Sequence, residues 1–148
     1  MVYISHRGNI NGSNPLEENK PNYIDKTLNM EYDVEIDLWF IENKLYFGHD
    51  KPTYLIKDSW IKARNEKLWI HCKNTNCLNY LQSTDLNYFW HEKDTVTLTS
   101  KKYIWAYPGK QIIKNSIAVM PEIFDDNITE CIGICSDHIE KYKRLLST

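Results

Sequence analysis

The chain has 148 residues, a formal net charge of -2 and 26% charged residues. That is enough chain for one domain with a single core, and the balance has no basic excess with which to neutralise a polyanion, which argues against nucleic acid as a partner. No linker, repeat or low-complexity tract divides residues 1–148. Met1 leads directly into Val2-Tyr3-Ile4, without a charged leader, and no apolar run is long enough for a bilayer span. The expectation is a soluble cytoplasmic protein.

Strand-like runs of β-branched and aromatic residues occur at Val2 to Ser5, Asp33 to Trp39, Leu45 to Gly48, Leu68 to Cys72 and Tyr88 to His91. They continue at Thr95 to Leu98, Tyr103 to Ala106, Ile117 to Met120 and Cys131 to Cys135. Short helices are expected between several of them: Pro21 to Leu28, with Ile24 and Leu28 on one face; Trp60 to Glu66, capped by Asp58-Ser59; and Cys77 to Gln82, capped by Asn74 to Asn76. Ile139 to Leu146 repeats apolar residues at helical spacing and should close the chain as a helix.

Strands alternating with short helices predict an α/β fold with a largely parallel sheet, in the form of a compact (β/α) TIM-type barrel. Eight units in this length leave roughly 18 residues each, against roughly 31 in a barrel of ordinary size, so outer helices must be reduced or missing. Apolar strand faces left uncovered in this way would favour a homodimer.

The segment Asp33-Val34-Glu35-Ile36-Asp37-Leu38 alternates acidic and apolar residues, which puts Glu35 and Asp37 on one strand face with Cα atoms roughly 7 Å apart. Two carboxylates so placed repel unless water, a basic group or a cation separates them, and a hard divalent ion suits oxygen ligands. A half-exposed strand with solvated acids would show the same alternation. His6-Arg7-Gly8 follows the first strand, where sites form in parallel-sheet folds, and Arg7, one of three arginines, offers a planar fork to phosphate oxygens. Gly48-His49-Asp50 returns a second histidine after another apolar run. Two imidazoles beside one phosphate can divide the proton transfers of a displacement. Cys72, Cys77, Cys131 and Cys135 read as buried thiols, since a zinc site from Cys72, Cys77 and His71 lacks the tight paired spacing structural zinc uses.

In combination, His6-Arg7-Gly8, then Glu17-Glu18-Asn19 after Pro15, then Glu35-x-Asp37, then His49-Asp50, resemble in kind and order the amino-terminal signature of glycerophosphodiester phosphodiesterases. The match covers about the first third of the chain. The resemblance implies an enzyme, a phosphoric diester hydrolase of lipid metabolism that acts on a small phosphodiester. It makes His6 and His49 the acid/base pair, Arg7 the phosphate ligand, and Glu35 and Asp37 the ligands of a divalent metal, Mg2+ or Ca2+ with Mn2+ possible. Glu18 and Asn19 match the family's Glu-Asn element, Glu18 supporting the metal shell and Asn19 bracing the loop.

The family also carries Glu-x-Lys on its third strand. Here Lys73 is retained as a basic partner for substrate, but His71 stands where the glutamate is expected. The third metal ligand is then His71 itself, or Glu92 after the following strand. His91, Glu122 and Asp137 also follow apolar runs and are candidates for shaping the pocket, as are the aromatics of 103–109. The same residues would serve a lyase that forms a cyclic phosphate, and a binding module that lost its metal would keep most of them.

Overall fold

A computed structural model describes residues 1–110 and 113–147. Ten strands form one sheet: β1 (Val2–His6), β2 (Asp33–Ile41), β3 (Lys44–Phe47), β4 (Tyr54–Ile56), β5 (Leu68–Cys72), β6 (Tyr88–Phe89), β7 (Val96–Leu98), β8 (Ile104–Ala106), β9 (Ser116–Val119) and β10 (Gly133–Ser136). Among the described residues four α-helices accompany them: α1 (Pro21–Asn29), α2 (Asp58–Lys62), α3 (Thr75–Leu81) and α4 (Ile139–Leu146).

The strands β6, β5, β2, β1, β10, β9 and β8 are neighbours in that order and all parallel. On one flank β7 runs antiparallel to β8, and β3 and β4 extend β2 as an antiparallel meander. This corrects the expected TIM-type barrel, because the sheet is mixed and curls as a partial barrel with few, short helices. The connections at 90–95 and 99–103 are too short to carry a helix across the sheet. The parallel segment and the helices at Pro21, Thr75 and Ile139 match the sequence pattern. The hairpin partner β4 was not anticipated, and α2 is shorter than expected because the chain passes into a 3-10 turn at Asn65–Lys67.

The period-2 rule explains how this sheet makes a site. On the concave face five of the seven parallel strands place an apolar residue deep and a polar or aromatic one two positions later, toward the carboxyl end, while β2 places Glu35 and Asp37 there and β9 places Ile117 and Val119. The pairs are Ile4 and His6, Trp69 and His71, Phe89 and His91, Trp105 and Tyr107, and Cys135 and Asp137. Ile4, Trp69, Phe89, Trp105, Ile117, Val119 and Cys135 pack as one cluster. The Trp69 and Trp105 ring centres are 5.7 Å apart and those of Phe89 and Trp105 4.6 Å. The convex face packs Val34, Ile36, Leu38, Leu68, Ile70 and Cys72 against Ile24 of α1 and Cys77 and Leu81 of α3. Ala118 and Ile134 pack against Ile139 of α4.

Among the described residues no helix is long and apolar enough to cross a membrane. The four cysteines are free and buried. Cys72 and Cys77 belong to the convex core while His71 faces the opposite side, so the three do not converge as a zinc site.

Candidate functional site

β2 changes partners in its middle. Residues 33–35 pair with β1 and residues 38–41 with β3, so Asp37 lies at the fork between them. Its backbone there has no strand partner on that side. The Asp37 N–H donates to Asn19 Oδ1 at 3.0 Å, and its carbonyl accepts from the Gly48 N–H at 3.2 Å. Asn19 also donates through Nδ2 to Asp37 Oδ2 at 2.9 Å, so one buried amide fixes both ends of this residue.

The chain opens the fork by turning sharply at Arg7, which has a left-handed φ of 56° while its N–H still bonds the Glu35 carbonyl at 3.0 Å. Asn19 is left-handed too, with φ 63°. Non-glycine residues in this region cost on the order of 1 kcal/mol or more and are held only by surrounding contacts. Here those contacts are the site itself. Gly8 continues the turn at φ 95°, and a Cβ there would lie 2.6 Å from the Tyr23 ring.

Glu35 and Asp37 are both buried, at 3% and 0% exposure. Asp37 is well supplied with partners besides Asn19. Arg7 Nε forms an ion pair with its Oδ2 at 3.1 Å, His71 Nδ1 lies 3.2 Å from Oδ1, and Lys73 Nζ lies 3.8 Å from Oδ1. Burial alone would raise the Asp37 pKa, but His71, Arg7 and Lys73 together hold it well below the ordinary carboxylate range. Glu35 is different. Its Oε2 is buried with no hydrogen-bond partner; His6 Nε2 lies 3.9 Å from Oε2 and His71 Nδ1 lies 3.9 Å from Oε1. Burial first and the Asp37 charge second push its pKa up.

His6 Nδ1 lies 2.8 Å from Asp137 Oδ1, the residue that follows β10. Burial would raise the Asp137 pKa, but the hydrogen bond and charge of His6 and the Asn9 amide outweigh it and lower it. Asp137 is therefore an ionised acceptor, His6 Nδ1 carries a hydrogen, and Nε2 is left for the pocket. Burial opposes the charged form of His6, yet Asp137 and Glu35 raise its pKa overall. Arg7 Nη1 donates to Glu18 Oε2 at 3.2 Å, and Glu18 is held by Asn9 and Ser13. His49 follows the turn at Gly48, is half-exposed, and pairs through Nδ1 with Asp50 at 2.7 Å. Burial, then the Arg7 charge, lower its pKa.

His71 sits opposite Asp37 in the β2/β5 register. Its ring lies nearly parallel to those of Phe89, at 5.3 Å and 9°, and His91, at 4.4 Å and 8°, which are 5.7 Å from each other on the neighbouring segment. Its Nε2 is 3.2 Å from the His91 carbonyl oxygen, which can only accept, so Nε2 carries the hydrogen. In the neutral ring Nδ1 is then a bare lone pair aimed at two carboxylates. Three acceptors facing one another require a cation between them, either a proton or a metal ion. One ligand atom from each of Glu35, Asp37 and His71 lies within 4.8 Å of the others. Ligands around a divalent ion at ~2.1 Å are about 3–4 Å apart, so small side-chain adjustments suffice. With the orphaned Glu35 oxygen, this donor set fits a divalent metal.

A pocket of about 160 Å³ over these groups is lined by His6, Arg7, Glu35, His49, His71 and His91, with Trp105, Tyr107 and Met120 opposite. It meets a polar groove of about 410 Å³ at Arg7 and His49, where Ser13, Lys51, Thr53 and Tyr54 contribute. Of the other residues singled out in the sequence, Glu18 and Asn19 brace Arg7 and Asp37 rather than joining the Glu35 cluster. Glu92 is exposed beyond β6 and lines neither pocket. Glu122 is occupied by Ser136 and Tyr142. Burial, then the neighbouring His71, lower the His91 pKa to about 4, so that ring is neutral. Asn9, fully buried and bridging Glu18 to Asp137 at 2.9 and 2.8 Å, was not anticipated; its place directly after His-Arg-Gly was the available signal.

No family model, no curated protein and no solved structure matches this chain.

Proposed function

We propose that this chain is a metal-assisted phosphodiesterase, a phosphoric diester hydrolase acting on a glycerophosphodiester or a similar alcohol or sugar phosphodiester. The observation that supports it best is the meeting of His6, Arg7, Glu35, His49 and His71, from separate segments, around one small pocket. These residues include the elements by which the sequence resembles the glycerophosphodiester phosphodiesterases, and they converge although the sheet is not the expected barrel.

A divalent cation held by Glu35, Asp37 and His71 would supply positive charge to a nonbridging phosphate oxygen. Arg7, fixed by Glu18 and Asp37, presents its guanidinium to the same pocket as a planar donor for phosphate oxygens. Lys73 adds charge from the β5 end. His6 takes or gives a proton at Nε2, because Asp137 fixes Nδ1 as its N–H. His49, on the other side of Arg7, performs the complementary transfer, and its half-exposure and Asp50 contact suit exchange with solvent. The polar groove beside His49 would take the alcohol or sugar arm of the substrate.

The test is incubation of the purified chain with a panel of glycerophosphodiesters and nucleotide- or sugar-linked diesters, with Mg2+, Ca2+, Mn2+ or chelator, followed by phosphorus NMR. Cation-dependent monoester that His6→Ala and Glu35→Ala fail to produce is the expected result. A cyclic phosphate as final product would make the enzyme a lyase. No turnover of any diester would leave a phospho-ligand-binding module.

A further inference from the structure

The centre differs from an all-oxygen site in one ligand, and that difference carries a consequence for the ion it takes. Resting on the reading that Glu35, Asp37 and His71 hold a cation, we infer that the centre selects a borderline first-row transition ion, of the Fe2+ to Zn2+ class, bound through His71 Nδ1, over Mg2+ and Ca2+.

Three features of the chain argue for this. First, the imidazole is committed before any ion arrives. Its ring packs against Phe89 and His91, and its Nε2–H is spent on the His91 carbonyl, so Nδ1 points toward Asp37 Oδ1, 3.2 Å away, and Glu35 Oε1, 3.9 Å away. A ligating histidine whose other nitrogen donates to a backbone carbonyl is the arrangement that fixes tautomer and basicity in transition-metal sites.

Second, the oxygen supply is short. Ca2+ wants about six to eight oxygen ligands. Yet the nearby carboxylates other than Glu35 and Asp37 are engaged elsewhere: Glu18 with Arg7, Asn9 and Ser13, Asp137 with His6 and Asn9, and Asp33 with the Trp69 indole at 2.9 Å. Asp37 itself offers mainly Oδ1, because Asn19 and Arg7 lie on Oδ2. Third, imidazole nitrogen favours the later first-row ions over the hard alkaline earths.

The experiment uses the full chain stripped with chelator. Binding of Zn2+, Mn2+, Mg2+ and Ca2+ is measured by calorimetry for wild type, His71→Glu, His71→Gln and Glu35→Gln. Pulsed EPR of the Mn2+ complex reads whether a 14N nucleus is bonded to the ion. Wild type should show directly coordinated nitrogen, lost in both His71 variants. His71→Glu should shift the Zn2+ to Mg2+ affinity ratio toward Mg2+ by about tenfold or more.

An ion whose binding needs Glu35 but shows no nitrogen coupling, or a ratio unmoved by His71→Glu, overturns this inference and leaves the metal-assisted reading intact. Failure of wild type to bind any of the four ions more tightly than Glu35→Gln overturns both. If His71→Glu does not fold, the wild-type nitrogen coupling and its loss in His71→Gln decide the question.

Discussion

Glu35 is the residue at which function should cost stability, and Glu35→Gln exposes the trade. In the metal-free protein the carboxylate is buried, has one oxygen without a hydrogen-bond partner and shares its face with the Asp37 charge. An unsatisfied buried acceptor costs about 1–3 kcal/mol, and the nearly isosteric amide removes the charge while supplying donors toward Asp37 and His71. For a domain of this size that is a rise in Tm of about 3–9 °C in chelator.

The sign with pH follows from the raised pKa of Glu35 in the folded chain. The unfolded chain releases this proton in the ordinary carboxylate range and the folded chain only above it, so the folded state binds more protons in between. Wild-type stability therefore falls as pH rises through that window, so the gap to the variant should be closed near about pH 4 and widen as pH rises above the ordinary carboxylate range. A saturating cation reverses the order, since ligand at about 100 times Kd adds ~2.7 kcal/mol to whichever protein binds it. Thermal unfolding by circular dichroism, with chelator and with Mn2+, measures both orders. A variant less stable than wild type in chelator, or equal stabilisation of the two by the ion, would refute the reasoning.

Other perturbations address the parts around the cluster. Asp137→Asn removes the anion that fixes His6 Nδ1, and turnover should fall by about 10–100-fold with little change in KM, measured by steady-state kinetics. Because the folded Asp137 pKa is depressed, wild type should lose stability as pH falls below the ordinary carboxylate range, and the variant should lose less there, in acid unfolding curves. Gly48→Ala places a Cβ 2.0 Å from the Lys51 carbonyl at a backbone φ of 151°, so the turn carrying His49 must move. Turnover should drop by more than about tenfold, measured by steady-state kinetics, and Tm should fall as well, because Phe47 beside Gly48 belongs to the convex core. Arg7→Lys keeps the charge but gives up the planar fork between Glu18 and Asp37, and should weaken binding of inorganic phosphate about tenfold by calorimetry.

Parts of this arrangement were legible in the sequence because they depend on periods and order. The alternation across 33–38 gave a strand with Glu35 and Asp37 on one face, and its apolar residues are the convex core. The amphipathic spacing of Ile139 to Leu146 gave α4 with the observed bounds. The barrel was not legible in the same way. Strand propensity does not encode partner or direction, so nothing in Val96-Thr97-Leu98 or Tyr54-Leu55-Ile56 marks them as antiparallel. Short apolar runs separated by turns read as parallel units when neighbouring strands truly are.

At the site, the chemistry-bearing residues stood out by type and order, and Asn19 did so only through the resemblance that paired it with Glu18. Asn9 is an ordinary polar residue in a loop until the fold brings Glu18 and Asp137 to its amide, and the backbone of Asp37 that Asn19 satisfies is left open only by the fork in β2. The partnership of Asp137 with His6 joins residues at opposite ends of the chain through the β1/β10 pairing, which no local pattern reports.

The central claim is that an acid/base pair and a cation held by Glu35, Asp37 and His71 serve one reaction at one pocket. The most direct measurement is the rate of bis(p-nitrophenyl) phosphate cleavage by chelator-stripped protein titrated with Mn2+, run in parallel for wild type, His6→Ala and Glu35→Gln. Activity that appears in wild type in step with bound ion, and in neither variant, is the predicted result. Cleavage that is indifferent to chelator, or that survives in both variants, would contradict the account.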